Sequence, residues 1–401
     1  MNFERISALV IYIVGLGAYL ASDLVITTCA ELETINSWAK IRSLVGIVGI
    51  FCLLGLETLF VRSPHSSARL IKRLSIQIPL LAFPTAAIVV TLGFINSFWI
   101  SYLLSISSAA TIAIFQYYRS GHLLFAAQLT QQGWRIAAFI GISLMVFLKI
   151  DISINLMVII AMIGSLAIAG LPIFFLFQPK NILPQNPQSF GELYRLSFRF
   201  MITSLFLALA IYSEQLLVQK IESQQTAAGY FTHATFFLFP AGVASGYLGF
   251  VLGPWVRDNH DRFVEIIQKK KVPIFFFLLV YIALLQLFGA ISWSLLSPPI
   301  GSPDNTLRAF FGLVGIFITL YALPSAYNGV FASARHIDFL IFCQVAAFFI
   351  STVIFVALWK FLRVEPIYSV AIASLFNWTL RTMAGFAAIK LTLNPEGARH
   401  V

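Results

Sequence analysis

Four ionisable side chains fall inside stretches of sequence that are otherwise apolar: Asp23, Glu57, Glu214 and Arg381. Placing such a group in hydrocarbon costs about 2.5–3.5 kcal/mol on insertion scales, so each of them calls for a task. Arg381 stands in Phe376-Asn377-Trp378-Thr379-Leu380-Arg381-Thr382, about fifteen residues into the last apolar run and so roughly 22 Å along it at 1.5 Å per residue. A permanent guanidinium at that depth can hold a phosphate or pyrophosphate bidentately; pairing with a helix carboxylate is the plainer role. Glu214 sits in Tyr212-Ser213-Glu214-Gln215, and Asp23 occupies the corresponding place in the first apolar run. Carboxylates in low dielectric can exchange a proton or bind a cation, so both are candidates for ion coupling, against the alternative of solvated groups at an interface. Glu57 precedes Arg62 by five positions and reads as half of a structural ion pair. Arg199, with Arg195, opens the seventh run and could steer an anionic group inward or simply anchor the helix.

No catalytic constellation accompanies these residues. The six histidines, His65, His122, His233, His260, His336 and His400, have no metal-ligand spacing. Cys29, Cys52 and Cys343 are isolated, which gives neither a disulfide framework nor a metal site. No Gly-rich phosphate loop of the P-loop type is present, so the expectation is no cofactor beyond a coupling ion, H+ or Na+.

The elements that must position these side chains are helices crossing a bilayer. The chain is 59% hydrophobic and 10% charged, where soluble domains carry about 25% charged residues. A hydrocarbon core needs roughly 20 helical residues per crossing, and about twelve apolar runs of that order follow one another: 5–27, 43–61, 74–95, 98–117, 134–149, 152–177, 196–219, 228–253, 272–296, 307–331, 338–360 and 366–391. The first is too long for a signal-peptide core and is kept as a span. Runs such as Val272 to Phe288 are apolar on nearly every face, which suits helices and not alternating barrel strands. Pro84, Pro172, Pro240 and Pro324 mark expected kinks. Trp and Tyr near span ends, Trp134 among them, read as interface belts.

Lys and Arg are unequally shared between alternate connections, 18 against 7. Arg119 and Arg135 fall on the rich side, Lys40 and Arg42 on the poor one. The positive-inside rule then puts both termini in the cytoplasm and fits an even number of spans. The net charge of +10 is explained as a topology signal and an attraction to membrane lipid headgroups, not as nucleic-acid binding. The segment Arg257 to Lys271 spaces Phe263, Ile266 and Ile267 helically among charges and reads as an amphipathic surface helix. The Pro- and Gln-rich stretch Gln178 to Tyr194 divides the chain into halves, 1–180 and 196–401, joined by a linker over 181–195.

Several short motifs resemble bacterial polysaccharide flippases of the Wzx type, within the MOP superfamily. Gly55-Leu56-Glu57-Thr58-Leu59-Phe60-Val61-Arg62 is similar to the end of their second helix. Glu214 followed by Ala228-Gly229-Tyr230-Phe231-Thr232-His233-Ala234 resembles their seventh and eighth helices, and Gly253-Pro254-Trp255 the end of the eighth. The resemblance implies an all-α polytopic membrane protein of two six-helix bundles enclosing a cavity that opens alternately to each side. It implies a polyprenyl-pyrophosphate-linked oligosaccharide as substrate, polysaccharide assembly proteins as partners, and the bacterial inner membrane as location. Arg381 and Arg199 are then the candidate headgroup contacts; cavity arginines in the first helices are not evident. The competing readings are an ion-coupled multidrug or metabolite exporter, and a membrane enzyme such as a polysaccharide polymerase or O-acyltransferase. The enzyme reading lacks the large external loop or the catalytic histidine setting that it needs.

If Glu214 carries ion coupling, Glu214→Gln abolishes the dependence of transport on the proton or sodium gradient. An unchanged dependence in reconstituted vesicles removes Glu214 from that role.

Overall fold

The computed structural model describes residues 3–62, 67–121, 123–149, 153–170, 190–332 and 334–393, and among them every regular element is helical. In order these are α1 (Phe3–Cys29), α2 (Leu32–Leu53), α3 (Leu56–Arg62), α4 (Ser67–Thr91), α5 (Phe98–Ser120), α6 (Leu124–Leu148), α7 (Ile154–Ser165), α8 (Phe190–Ile221), α9 (Gln224–Phe237), α10 (Phe239–Asp258), α11 (His260–Lys269), α12 (Lys271–Leu296), α13 (Asn305–Phe331), α14 (Ala334–Val356) and α15 (Pro366–Leu393). A π-helical turn extends α7 over Leu166–Gly170 and another extends α14 over Ala357–Phe361. Nine helices among the described residues are long and apolar enough to cross a membrane. The protein is an all-α, multi-pass membrane protein.

The surface differs from that of a water-soluble domain: large apolar side chains face outward around an interior that also holds polar groups. Leu80, Phe83, Phe147, Phe276 and Phe277 are exposed on helix surfaces, where lipid would meet them, while Ser101, Ser105, Thr130 and Ser369 are buried. Each of those four hydroxyls bonds to a main-chain carbonyl on its own helix or just before it. With no water in hydrocarbon, polar groups must find such internal partners.

The chain divides into two compact units, residues 1–216 and 217–401. In the first, α1 lies along α6, and α5 packs on α2, α4 and α6. In the second, α13 packs on α10 and α15, and α15 on α14. Of the expected linker 181–195, residues 181–189 fall outside the described residues and 190–195 are already helical.

Three span boundaries depart from the sequence expectation. The second helix begins at Leu32, not 43, and ends at Leu53; Leu54 (φ 50°) and Gly55 (φ 77°) both turn left-handed before α3 begins. The fifth expected run, placed at 134–149, begins at Leu124. The expected span 228–253 is two helices parted at Leu238, and Pro240 opens the second instead of kinking one helix. A proline is tolerated there because the first-turn N–H has no helical acceptor anyway. Pro79 and Pro84 lie inside α4 and Pro324 inside α13, whereas Pro172 falls outside the described residues.

The break after α2 leaves carbonyls without helical partners, and a relay of side chains supplies them. Gln77 donates from Nε2 to the carbonyls of Cys52 (3.1 Å) and Leu53 (3.2 Å), and its Oε1 accepts from the Tyr194 hydroxyl at 2.8 Å. Arg73 Nε in turn donates to that hydroxyl at 3.0 Å. A Cβ on Gly55 would stand 2.0 Å from the carbonyl oxygen of Ser197.

Gly55→Ala therefore combines a left-handed backbone, costing about 1–2 kcal/mol for an L side chain, with a collision against main chain. It should lower the apparent Tm of the purified protein by several degrees. Gly229→Ala, whose added Cβ meets nothing within 4 Å, should not.

Candidate functional site

In the first unit, three helices bring a polar and aromatic cluster together. Tyr19 and Asp23 lie one helical turn apart on α1, as do Trp38 and Arg42 on α2, and α6 contributes Gln132, Trp134 and Arg135. Close approach of α1 to α6 depends on Gly15, where a Cβ would come within 2.4 Å of Gln132 Cβ. Tyr212 of α8 closes in at Gly46 of α2, its ring lying where a Cβ would otherwise be, 2.0 Å away.

Asp23 is fully buried. One of its oxygens, Oδ1, accepts from Trp38 Nε1 at 2.7 Å and forms an ion pair with Arg42 Nε at 3.1 Å. Its Oδ2 has no hydrogen-bond partner among the described residues. The Thr27 hydroxyl bonds the Asp23 carbonyl at 2.8 Å, holding the last turns of α1. Arg42 and Arg135 both approach the Tyr19 ring, their Cζ atoms 4.9 and 4.8 Å from its centroid. Trp38 and Trp134 meet the same ring edge-on at 6.0 and 5.5 Å. Arg135 donates from Nη1 to Gln132 Oε1 at 3.0 Å and leans on Trp134. No carboxylate pairs with it among the described residues.

The cluster thus holds one carboxylate against two guanidinium groups no more than about 10 Å apart, a repulsion of roughly 1.7 kcal/mol at an effective dielectric of 20. Cation–π contacts return about 0.5–2 kcal/mol each. A net positive, aromatic-walled site of this kind attracts an anion. A cation would compete with Arg42 for Asp23.

A second polar cluster lies in the second unit. Arg381 is 1% exposed and donates from Nε to Asn377 Oδ1 at 2.6 Å, one turn back on α15. It is within electrostatic reach of Tyr321, whose hydroxyl accepts from Gln344 Nε2 at 3.3 Å and whose ring meets Trp378 at 5.7 Å. The close crossing of α13 and α15 beside this cluster uses Gly385 against Pro324, with a would-be Cβ contact of 2.9 Å.

Among the residues expected from sequence, Asp23 is held by Arg42 and Trp38, and Arg381 is buried and bonded to Asn377. Glu214 and Arg199 are half-buried on α8. Glu57 is 6% exposed, its Oε2 has no hydrogen-bond partner among the described residues, and the Arg62 side chain lies outside them. The expectation that the first helices hold no inward arginine is corrected: Arg42 lies inside α2 and Arg135 inside α6, both against one ring, so they cannot belong to connections on opposite faces. Polar Asn36, Lys40 and Arg42 dilute the start of α2, and Gln128, Gln131 and Gln132 that of α6. The signal that could have found them is the absence of Gly and Pro from Glu31 to Val45 and from Leu123 to Gln132. Such stretches continue a helix.

No protein-family profile and no curated protein matches the chain. Solved structures do. An inward-facing multidrug resistance MATE family transporter of the MOP superfamily aligns over 97% of this chain and 98% of its own, at 13% identity and TM-score 0.62. An outward-facing one gives 13% and 0.62 over 96% and 95%. The MATE transporter ClbM in complex with Rb+ gives 13% and 0.56 over 98% and 95%. This is the MATE fold. Within it, the charged cluster on α1, α2 and α6 is described by this chain's own side chains, because at such identity the likeness extends to the fold alone.

Arg42→Ala strands a buried carboxylate and should destabilise the protein by about 3–5 kcal/mol. The double variant Asp23→Ala/Arg42→Ala should recover a large part of that loss, read as the apparent Tm in detergent.

Proposed function

We propose that the protein moves an anionic, lipid-linked substrate across the membrane by alternating access, and that this substrate is a polyprenyl-pyrophosphate-linked oligosaccharide. The observation that carries this reading is the pair of guanidinium groups on the Tyr19 ring, balanced by a single carboxylate that one of them already occupies. Moving a sugar pyrophosphate through bare hydrocarbon is prohibitive, since its charges and hydroxyls lose water. A cationic, hydrogen-bonding chamber inside a membrane fold lowers that barrier while the polyprenyl tail remains in lipid. Arg135 is the contact for the pyrophosphate in the first unit, where Arg199 is a further candidate; Arg381 is a candidate headgroup contact of the second unit by itself. Glu214 remains the candidate for H+ or Na+ coupling. The bacterial inner membrane, cytoplasmic termini and assembly-protein partners belong to the same proposal.

A multidrug exporter is the competing reading, and the fold is shared with transporters bearing that description. Export of cationic drugs would favour an available carboxylate, and in this chain Arg42 is bonded to Asp23.

The test is the sidedness of lipid-linked oligosaccharide in a strain lacking the protein, with labelling in spheroplasts and in inverted vesicles. Accumulation on the cytoplasmic leaflet supports the reading. Wild-type distribution together with increased drug sensitivity refutes it. In complementation, Arg135→Ala should lower translocation about 10- to 100-fold, as expected for loss of a charge-assisted hydrogen bond, with little change in apparent Tm. Arg381→Ala should abolish translocation with normal membrane insertion, and Arg381→Lys should retain part of it. Full activity in both Arg381 variants would leave Arg381 a structural residue.

A further inference from the structure

His233 on α9 belongs to neither polar cluster, yet both of its ring nitrogens are committed. Nδ1 lies 2.8 Å from the carbonyl oxygen of Gly229, one turn back, which can only accept. Nε2 lies 2.8 Å from the backbone N–H of Asp304, which can only donate. The imidazole is therefore neutral and carries its proton on Nδ1, because each partner admits one role. The contact reaches 71 residues along the chain. It fastens α9 to the loop that links α12 and α13.

That loop is held at several other points. Trp293 of α12 meets His233 at a tilt, ring centroids 4.7 Å apart, and donates from Nε1 to the Gly301 carbonyl at 3.0 Å. Asp304 caps α13: its Oδ1 accepts from the N–H groups of Thr306 (2.8 Å) and Leu307 (3.0 Å), and its Oδ2 accepts from the Tyr368 hydroxyl at 2.5 Å. Burial raises the Asp304 pKa, but the bonds from Tyr368, Leu307 and Thr306 outweigh it and hold the carboxyl below its usual range. Asp304 thus stays ionised while a histidine titrates, and both of its oxygens are already engaged.

The surroundings of His233 contain few other charges. From α12 it meets Trp293, and from its own helix Phe237 at 6.4 Å. Arg308 of α13 lies over the Phe237 ring at 5.3 Å and donates to the Gln286 carbonyl. Behind Asp304, Tyr368 of α15 feels Glu365, and Glu365 in turn faces Glu222.

We propose that His233 is a proton-binding latch, which fastens the α12–α13 loop to α9 when neutral and releases it when protonated. A proton on Nε2 turns that atom from acceptor to donor and sets it against the Asp304 N–H. The Gly229 bond survives protonation and the Asp304 bond does not. The sign follows: the latch is closed above the histidine's pKa and opens as pH falls through it; because the ring is buried and the Asp304 N–H bonds only its neutral form, that transition lies on the acid side of histidine's ordinary value of about 6.5. This inference goes beyond the proposed substrate and stands independently of it.

The experiment is hydrogen–deuterium exchange on the full chain in nanodiscs of neutral phospholipid, following the peptide across Ser302 to Leu307 from pH 8 to pH 5. Rates are corrected for intrinsic exchange. In the wild type, protection should fall about 5- to 10-fold across the histidine transition, the effect of losing one hydrogen bond. His233→Gln keeps an acceptor but cannot take up a proton, so its corrected protection should show no step. His233→Phe should lose the protection of the Asp304 amide at every pH, while Thr306 and Leu307 stay held by the Asp304 cap. A wild-type profile without a step, or the same step in His233→Gln, would overturn the proposal. Should His233→Phe fail to fold, 15N-histidine NMR of the wild type against His233→Gln decides instead. The His233 signal must show the Nδ1–H neutral form at pH 8 and a doubly protonated ring at pH 5; the reverse tautomer refutes the latch.

Discussion

A carboxylate sealed from water must be met by something else, and in this protein Asp23 imposes that condition on everything near it. Arg42 and the Trp38 indole N–H both converge on one of its oxygens. To bring them there, α2 must run close beside α1 at the depth of Asp23, and α6 must close on α1 through Gly15. Tyr19, one turn away, then becomes the common surface for two guanidinium groups. The charge balance of this cluster follows from that one pairing.

The rest of the structure solves the same problem by shorter means. Serine and threonine hydroxyls fold back on main-chain carbonyls along α1, α5 and α6. Where the backbone must break, as at Leu54 and Gly55, Gln77 takes over the orphaned carbonyls and passes the connection to Tyr194 and Arg73. In the second unit Arg381 donates to the Asn377 side-chain oxygen and lies within electrostatic reach of Tyr321. The His233 contact is of another kind, since it joins one helix to a distant loop with a group whose hydrogen-bonding role a proton can reverse.

The fold class was legible in the sequence because long apolar runs leave helices as nearly the only structure hydrocarbon allows. The isolated ionisable residues were legible too, since Asp23 and Arg381 stand out against apolar neighbours and both prove deeply buried. Helix starts were harder to place. Where a buried face is polar, as in α2 from Leu32 and α6 from Leu124, hydropathy falls to the level of a loop although the backbone continues helical.

By itself the sequence determined that this is a polytopic helical membrane protein with a handful of charges in its interior, because both conclusions rest on local composition. Only the tertiary structure decided which charges meet. Arg42 and Arg135 are 93 positions apart and read alone as loop or interface residues; they become one site because α2 and α6 each pack against the same turn of α1. The partner of Asp23 and the tautomer of His233 were decided in the same way, since a side chain's electrostatic partner is set by helix packing across the fold and leaves no trace in local composition.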